Sequence, residues 1–132
     1  MRLNRAGEYA VRCVMHLAKN GNGSVISRRE VAEAMEIPEP FLAKIARQLT
    51  LAGILDVTQG SRGGYRLAKD PGELTLLDVV EAMMGEIFLN DCVCQPKICK
   101  RSPTCPAHRV WKKANQQLRD TLKSATFSQI SR

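Results

Sequence analysis

Apolar residues recur at helical spacing along most of this chain and shift to short β-type runs at one point near its middle. Ala10, Cys13, Val14, Leu17 and Ala18 mark one face of a helix over 5–19. The run Asn20-Gly21-Asn22-Gly23 stops it. Ser27, with Glu30 three residues later, reads as a capping box opening a second helix that runs through Met35, with Val31, Ala32 and Met35 as its apolar face. A tight turn at Glu36-Ile37-Pro38-Glu39 follows. Pro40 suits the first position of a third helix because it has no N–H to leave unpaired there. Phe41, Leu42, Ile45, Leu49 and Ala52 form the predicted buried stripe of that helix, with Lys44, Arg47 and Gln48 largely on the other side. Two short helices joined by a tight turn, the second basic on its outer face, make a helix-turn-helix.

Gly53 ends the third helix. Ile54, Leu55 and Val57 read as a strand, and Tyr65, Arg66 and Leu67 as its return. The hairpin tip Gln59-Gly60-Ser61-Arg62-Gly63-Gly64 is rich in glycine, which permits the turn and brings backbone close to a phosphate. Asp70-Pro71-Gly72 is a turn. Thr75 caps a fourth helix with Asp78 near its positive end, and Leu76, Val79, Val80 and Met83 supply its core face up to Gly85. Residues 89–106 have no period and read as a loop. From Pro106 a long helix resumes, with a narrow seam of Val110, Ala114, Leu118, Thr121, Leu122 and Ala125. A narrow seam on a helix appended to a finished small domain predicts pairing with a second copy of the chain, antiparallel, in a homodimer. The expected fold class is therefore mainly α with a small β-hairpin wing. A winged helix-turn-helix domain spans 1–86, a cysteine-rich loop 87–106, and a dimerisation helix and tail 107–132.

Charge adds a partner to this outline. The chain of 132 residues carries a formal net charge of +7. Residues 1–69 hold 11 Lys/Arg against 6 Asp/Glu, so the basic excess sits mainly beside the helix-turn-helix and wing. That favours double-stranded DNA as the partner. Arg62 at the wing tip is placed to enter a minor groove. No run of about 18 apolar residues is present, so no membrane span is expected. Arg5, Glu8 and Arg12 interrupt the first 13 residues, which lack the apolar core of a signal peptide. A cytoplasmic location is expected, and with it reduced thiols.

The densest chemistry lies in the loop. Cys92, Cys94, Cys99, Cys105 and His108 fall within 17 residues. Five cysteines in the whole chain is an odd number, which argues against a closed disulfide framework. Thiolates at short spacing suit an iron–sulfur cluster or zinc. Six Lys/Arg and no acid lie between residues 92 and 113, and they would offset the negative charge of a thiolate-bound centre. Cys99 and Cys105 belong to every ligand triple; the first ligand is Cys92 or Cys94. His108, one helical turn beyond Cys105, is a natural fourth. Cys13 reads as core, and His16 and the methionines as structural. No nucleotide-binding glycine loop and no Ser/His/Asp arrangement is evident, so an enzyme is not expected.

The opening Met1-Arg2-Leu3, Tyr9-Ala10-Val11, the stretch IPEPFLAKIARQL at 37–49 and the run GGYRLAKDPGELTLLDVVEAM at 63–83 resemble the Rrf-two family of winged-helix transcription regulators, which has IscR-like and NsrR-like members. The cysteine loop and the following helix with Trp111 also fit. The resemblance implies a dimer whose long helices cross, with Val110, Ala114, Leu118 and Leu122 at the interface. It implies three Cys ligands and one variable ligand: His108 matches the IscR-like position, and Glu8 matches the position from which other members supply an acid across the dimer. It leaves the cluster as 2Fe-2S or 4Fe-4S. On the DNA side, Pro40, Phe41, Lys44 and Arg47 would seat the third helix, Arg28, Arg29, Lys44 and Arg47 would contact phosphates, and Ser61 and Arg62 would serve the wing. Two positions depart from the IscR-like pattern, Gln59 before the wing glycines and Ala43 on the third helix, which predicts a different operator. The expected function is a transcription regulator sensing iron–sulfur status, redox state or nitric oxide. The alternatives are a winged-helix regulator with a zinc clip or a thiol–disulfide switch, with the site empty of iron as purified, and an iron–sulfur carrier without DNA binding.

Overall fold

The first helix is set by its cap. Asn4 Oδ1 accepts from the Gly7 N–H at 2.8 Å and opens α1 (Arg5–Asn20), satisfying one of the four unpaired N–H groups of a helix start. The structure, a computed structural model, describes residues 2–21 and 23–131. Met1, Asn22 and Arg132 lie outside the described residues, and with them one residue of the predicted stop after α1. The buried face of α1, Tyr9, Ala10, Cys13, Val14 and Leu17, is the axis around which the other helices pack.

Ser27 Oγ accepts from the Glu30 N–H at 3.1 Å at the start of α2 (Arg28–Met35). This is the serine half of the predicted box; the return bond from Glu30 is absent among the described residues. Glu36 closes α2 at φ 54°, the one positive φ outside glycine among the described residues. Helix α3 (Glu39–Leu51) starts one residue earlier than predicted, with Pro38 as its cap and Pro40 at its second position. An N–H is equally dispensable there, because the first turn has no intrahelical acceptors. The stripe also needs correcting. Leu42, Ile45, Ala46 and Leu49 are buried, whereas Phe41 and Ala52 are exposed. At about 100° per residue Phe41 sits roughly 90° from the centre of the buried face.

The wing is an antiparallel pair, β1 (Leu55–Thr58) and β2 (Gly64–Leu67), in the register Leu55↔Leu67 through Thr58↔Gly64. It is tied to the segment before α2: Ile26 N–H donates to Tyr65 O (2.9 Å) and Tyr65 N–H to Ile26 O (2.8 Å). A Cβ at Gly64 would stand 2.1 Å from Ile26 O, so this crossing admits no side chain. Beyond the wing, Thr75 and Asp78 form a complete capping box (3.0 and 3.2 Å) on α4 (Leu76–Met84). Leu77, Val79 and Val80 are its buried residues; the predicted Leu76 and Met83 are only partly buried.

The C-terminal part departs from its reading in the sequence at 89–106. The predicted loop at 89–106 contains a single helical turn, α5 (Asp91–Cys94), and a 3-10 turn at Pro96–Ile98. The long helix α6 (Pro106–Ser124) begins where predicted, but its seam is divided. Leu118 and Leu122 pack against Leu77, Val80 and Ile87 of the same chain, and Arg119 pairs with Glu81 of α4. Val110 is 60% exposed. A heptad-like stripe has the same period whichever surface it meets, so periodicity alone did not separate self-packing from dimer packing.

The tail after α6 is core. Residues 125–127 lie beside α4's start, where Leu76 N–H donates to Ala125 O and Phe127 N–H to Leu74 O, both at 2.9 Å. A last turn, α7 (Phe127–Ile130), packs on α1 with Phe127 fully buried. Phe127→Ala is expected to cost about 3–5 kcal/mol, as other buried aromatic truncations do, read as a fall in the urea midpoint. A loss below roughly 1 kcal/mol would mean that the tail contributes little to the fold.

Candidate functional site

The exposed face of α3 and the wing form one continuous surface. Pro40, Phe41, Lys44 and Arg47 are exposed on α3, and Ser61 and Arg62 are exposed at the tip between β1 and β2. Between helix and wing lies a groove of about 350 Å³ bordered by Arg28, Ala43, Arg47, Val57, Gln59 and Tyr65. Two of the predicted basic residues are already engaged. Arg28 Nε is 3.1 Å from Glu39 Oε1, linking α2 to the start of α3, and Arg29 Nε is 3.1 Å from Glu33 Oε1. Burial pushes the Tyr65 phenol up from its ordinary range, with the neighbouring Arg28 opposing that shift.

Phe41 is braced as well as exposed. Its ring meets Tyr9 of α1 edge-on, centroids 5.4 Å apart at 79°. Arg12 and Arg5 lie over the Tyr9 ring at 5.4 and 6.0 Å, and Arg12 Nη1 donates to Met35 O at the end of α2 at 3.4 Å. This aromatic–cation stack ties the start of α3 and the end of α2 to α1. Sequence reasoning missed it. Its only local signal was an aromatic flanked by arginines three and four residues away on one helix.

The cysteine region is framed by two polar anchors that the sequence did not reveal. Buried Asn115 of α6 accepts the Leu89 N–H through Oδ1 at 2.9 Å. Glu81 accepts the Ile87 N–H at 3.0 Å while pairing with Arg119. Between these anchors and α6, Cys92 and His108 come together: Cys92 Sγ lies 3.4 Å from His108 Nδ1 and donates to Asn90 Oδ1 at 3.3 Å. Cys99 and His108 border a cleft of about 440 Å³ with Pro96, Lys97, Lys100 and Lys112. Cys105 caps α6, one turn before His108.

The predicted ligands are not gathered into one set. Among the described residues no three Cys, His, Asp or Glu side chains converge closely enough to hold a metal ion. Cys94 is exposed, because residues two apart on a helical turn point about 200° apart and α5 turns Cys92 toward α6. Glu8 is exposed on the first turn of α1, outside this cluster. The donor chemistry nevertheless fits a thiolate-bound centre: Cys92, Cys99 and Cys105 are free, half-buried thiols, with His108 beside Cys92 and lysines around Cys99. Cys13 is different in kind. Fully buried, its thiol is pushed up to about 12 by desolvation, which makes it the core residue the sequence suggested.

Comparison with known proteins places these features together. The Rrf2 (Rrf-two) profile, described as "Iron-dependent Transcriptional regulator", matches residues 3–132. The chain is 30% identical over 125 residues to an HTH-type transcriptional regulator of Aquifex aeolicus, covering 92% of this chain and 85% of that protein. Its fold is similar to that of CymR (YrzC), the global cysteine regulator of B. subtilis, at a TM-score of 0.85 and 22% identity over 99% of this chain and 96% of that one. It is also similar in fold to T. potens IscR, at a TM-score of 0.78 and 22% identity over 98% of this chain and 85% of that one.

Proposed function

We propose a function from one premise: this chain belongs to the Rrf2 family of transcription regulators. Its relatives are regulators rather than enzymes, and membership sets aside the carrier alternative. The finer reading is a cytoplasmic homodimer that binds an operator through α3 and the wing and senses through an iron–sulfur cluster. No described helix is long and apolar enough to cross a membrane. The observation that carries the sensor reading is the approach of Cys92 to His108, residues 16 apart in sequence, at 3.4 Å beside the cleft that holds Cys99.

In this reading Cys92, Cys99 and Cys105 hold the cluster, with His108 or the partner-supplied equivalent of Glu8 as the fourth ligand. A bound cluster supplies one-electron chemistry and sensitivity to oxidants and nitric oxide. The protein's own contribution is mechanical. Asn115 and the Glu81–Arg119 pair hold the start of the cysteine segment on α4 and α6. Reordering that segment therefore pulls on α6. Helix α1 shares the core with α4 and braces Phe41 at the start of α3. Changes in the order of the segment thus reach the angle between the recognition helices of a dimer.

Protein purified without oxygen is expected to be brown, with matched iron and sulfide. Colourless protein that contains zinc would favour the structural clip. Colourless protein that takes up neither metal on reconstitution would favour a thiol switch between Cys94 and Cys99.

A further inference from the structure

His108 and Asn115 stand seven residues apart on α6. Seven residues turn a helix by about 700°, within roughly 20° of two full turns, so both positions share one face about 10.5 Å apart along the axis. Among the described residues of α6 only Asn115 is buried. A polar side chain in such a place needs a partner, because burial without one costs stability. Its Oδ1 accepts the Leu89 N–H at 2.9 Å, across 26 residues of sequence. At the other end of the interval, His108 Nδ1 lies 3.4 Å from Cys92 Sγ. The cysteine segment therefore starts antiparallel to α6, meeting Asn115 at Leu89 and His108 at Cys92. Three residues of chain reach at most about 10–11 Å, so the link between these two contacts has little slack.

The start of the segment is also held from sliding. Ile87 is buried against Leu77, Val80, Leu118 and Leu122, and its N–H donates to Glu81 of α4 at 3.0 Å. With Ile87 fixed on α4 and Leu89 on α6, Cys92 is the cysteine that the remaining length of chain delivers to His108. Cys94 lies two residues further on and is exposed. We propose that Asn115 is a positioning residue: through Leu89 it sets the register that pairs Cys92, rather than Cys94, with His108. In a loaded protein it thereby selects the first cysteine ligand. That consequence rests on the cluster reading of the proposed function; the register does not, and it can be measured in metal-free protein.

The test follows alkylation of each cysteine in the full, reduced, metal-free chain by iodoacetamide, an uncharged reagent, with peptide masses as the readout. In the parent, half-buried Cys92 should react more slowly than exposed Cys94. Asn115→Leu keeps the side-chain volume and removes the acceptor. It should raise the Cys92 rate relative to Cys94 by at least about fivefold, the lower end of what losing a buried hydrogen-bond partner gives. Asn115→Ala, in case the leucine does not fold, should do the same. Asn115→Asp keeps an acceptor and should return the parent ratio. A merely structural role would lower the urea midpoint of these variants and leave the ratio unchanged, which would overturn the proposal, as would an aspartate variant that behaves like the leucine one. A second measurement reads the ligand choice after anaerobic reconstitution. Cys92→Ser should regain part of its visible absorption and bound iron in the Asn115→Leu background, where Cys94 is free to replace it; equal loss in both backgrounds would overturn the selection of Cys92 by Asn115. Failure of the cluster reading looks different: the parent itself would take up no iron, and the alkylation ratio alone would then uphold or overturn the register.

Discussion

Replacing Lys44 and Arg47 together with alanine is expected to weaken duplex DNA binding by roughly a thousandfold near 0.15 M salt. Both side chains are exposed on the face of α3 opposite Leu42, Ile45 and Leu49, so their loss leaves the core untouched. Each phosphate neutralised contributes about −0.9 to the slope of log affinity against log salt, which corresponds to about fivefold in affinity per contact near 0.15 M. A dimer losing two contacts per subunit loses four, which gives the thousandfold figure and flattens the slope by roughly 3.6 units. A monomer would lose only two, about thirtyfold and 1.8 units. The slope thus reports the number of subunits on the DNA as well as the role of α3. Because phosphate contacts carry no sequence information, a random-sequence duplex suffices for the measurement. Arg28 provides an internal contrast. Its pairing with Glu39 must be loosened or shared when a phosphate approaches, so Glu39→Gln should tighten binding and steepen the slope. An unchanged slope in the double alanine variant would remove α3 from the interface.

The sequence exposed whatever is decided within a few residues. The Ser27 and Thr75 caps, the glycines of the wing and the prolines around α3 act on their immediate neighbours, and the helices begin and end within a residue or two of where these signals stand. What depends on distant packing was not legible. Phe127 lies in a polar tail, and only the pairing of Leu74, Leu76 and Thr75 with residues 125–127 makes it core. Leu118 and Leu122 carried a correct helical stripe and pack in part on α4, an apolar face within the same chain that the pattern of α6 alone does not reveal. Phe41 was counted in the buried stripe of α3 as well as on its DNA-facing side, and its contact with Tyr9 of α1 could not be read from the pattern of α3 alone. The cysteines were legible as chemistry, since soft donors in a basic segment have few other uses. Their arrangement was not, since α5 interrupts the expected loop and Asn115 and Glu81 fix where the segment starts.

That same turn of helix makes the second large effect a choice between two cysteines. Cys92 and Cys94 stand about 200° apart on α5, so one rigid turn cannot present both to a single centre. Cys92 faces His108 at 3.4 Å; Cys94 faces solvent. Serine is expected to abolish the cluster at Cys92, Cys99 or Cys105, removing the visible absorption and the bound iron and sulfide from anaerobically purified protein. Cys94→Ser should keep all three. A centre held by three thiolates and one weaker ligand tolerates loss of the weaker one better, so His108→Ala and Glu8→Ala separate the remaining alternatives. The variant of the true fourth ligand should hold its cluster but shift the absorption bands and lose it faster in air, while the other should match the parent. If Cys94→Ser were colourless and Cys92→Ser brown, α5 would have to unwind on loading, and the closeness of Cys92 to His108 would belong to the metal-free protein alone. If every single-cysteine variant kept its colour, the cluster would not be held by these thiols, and the basic cleft around Cys99 would need a different occupant.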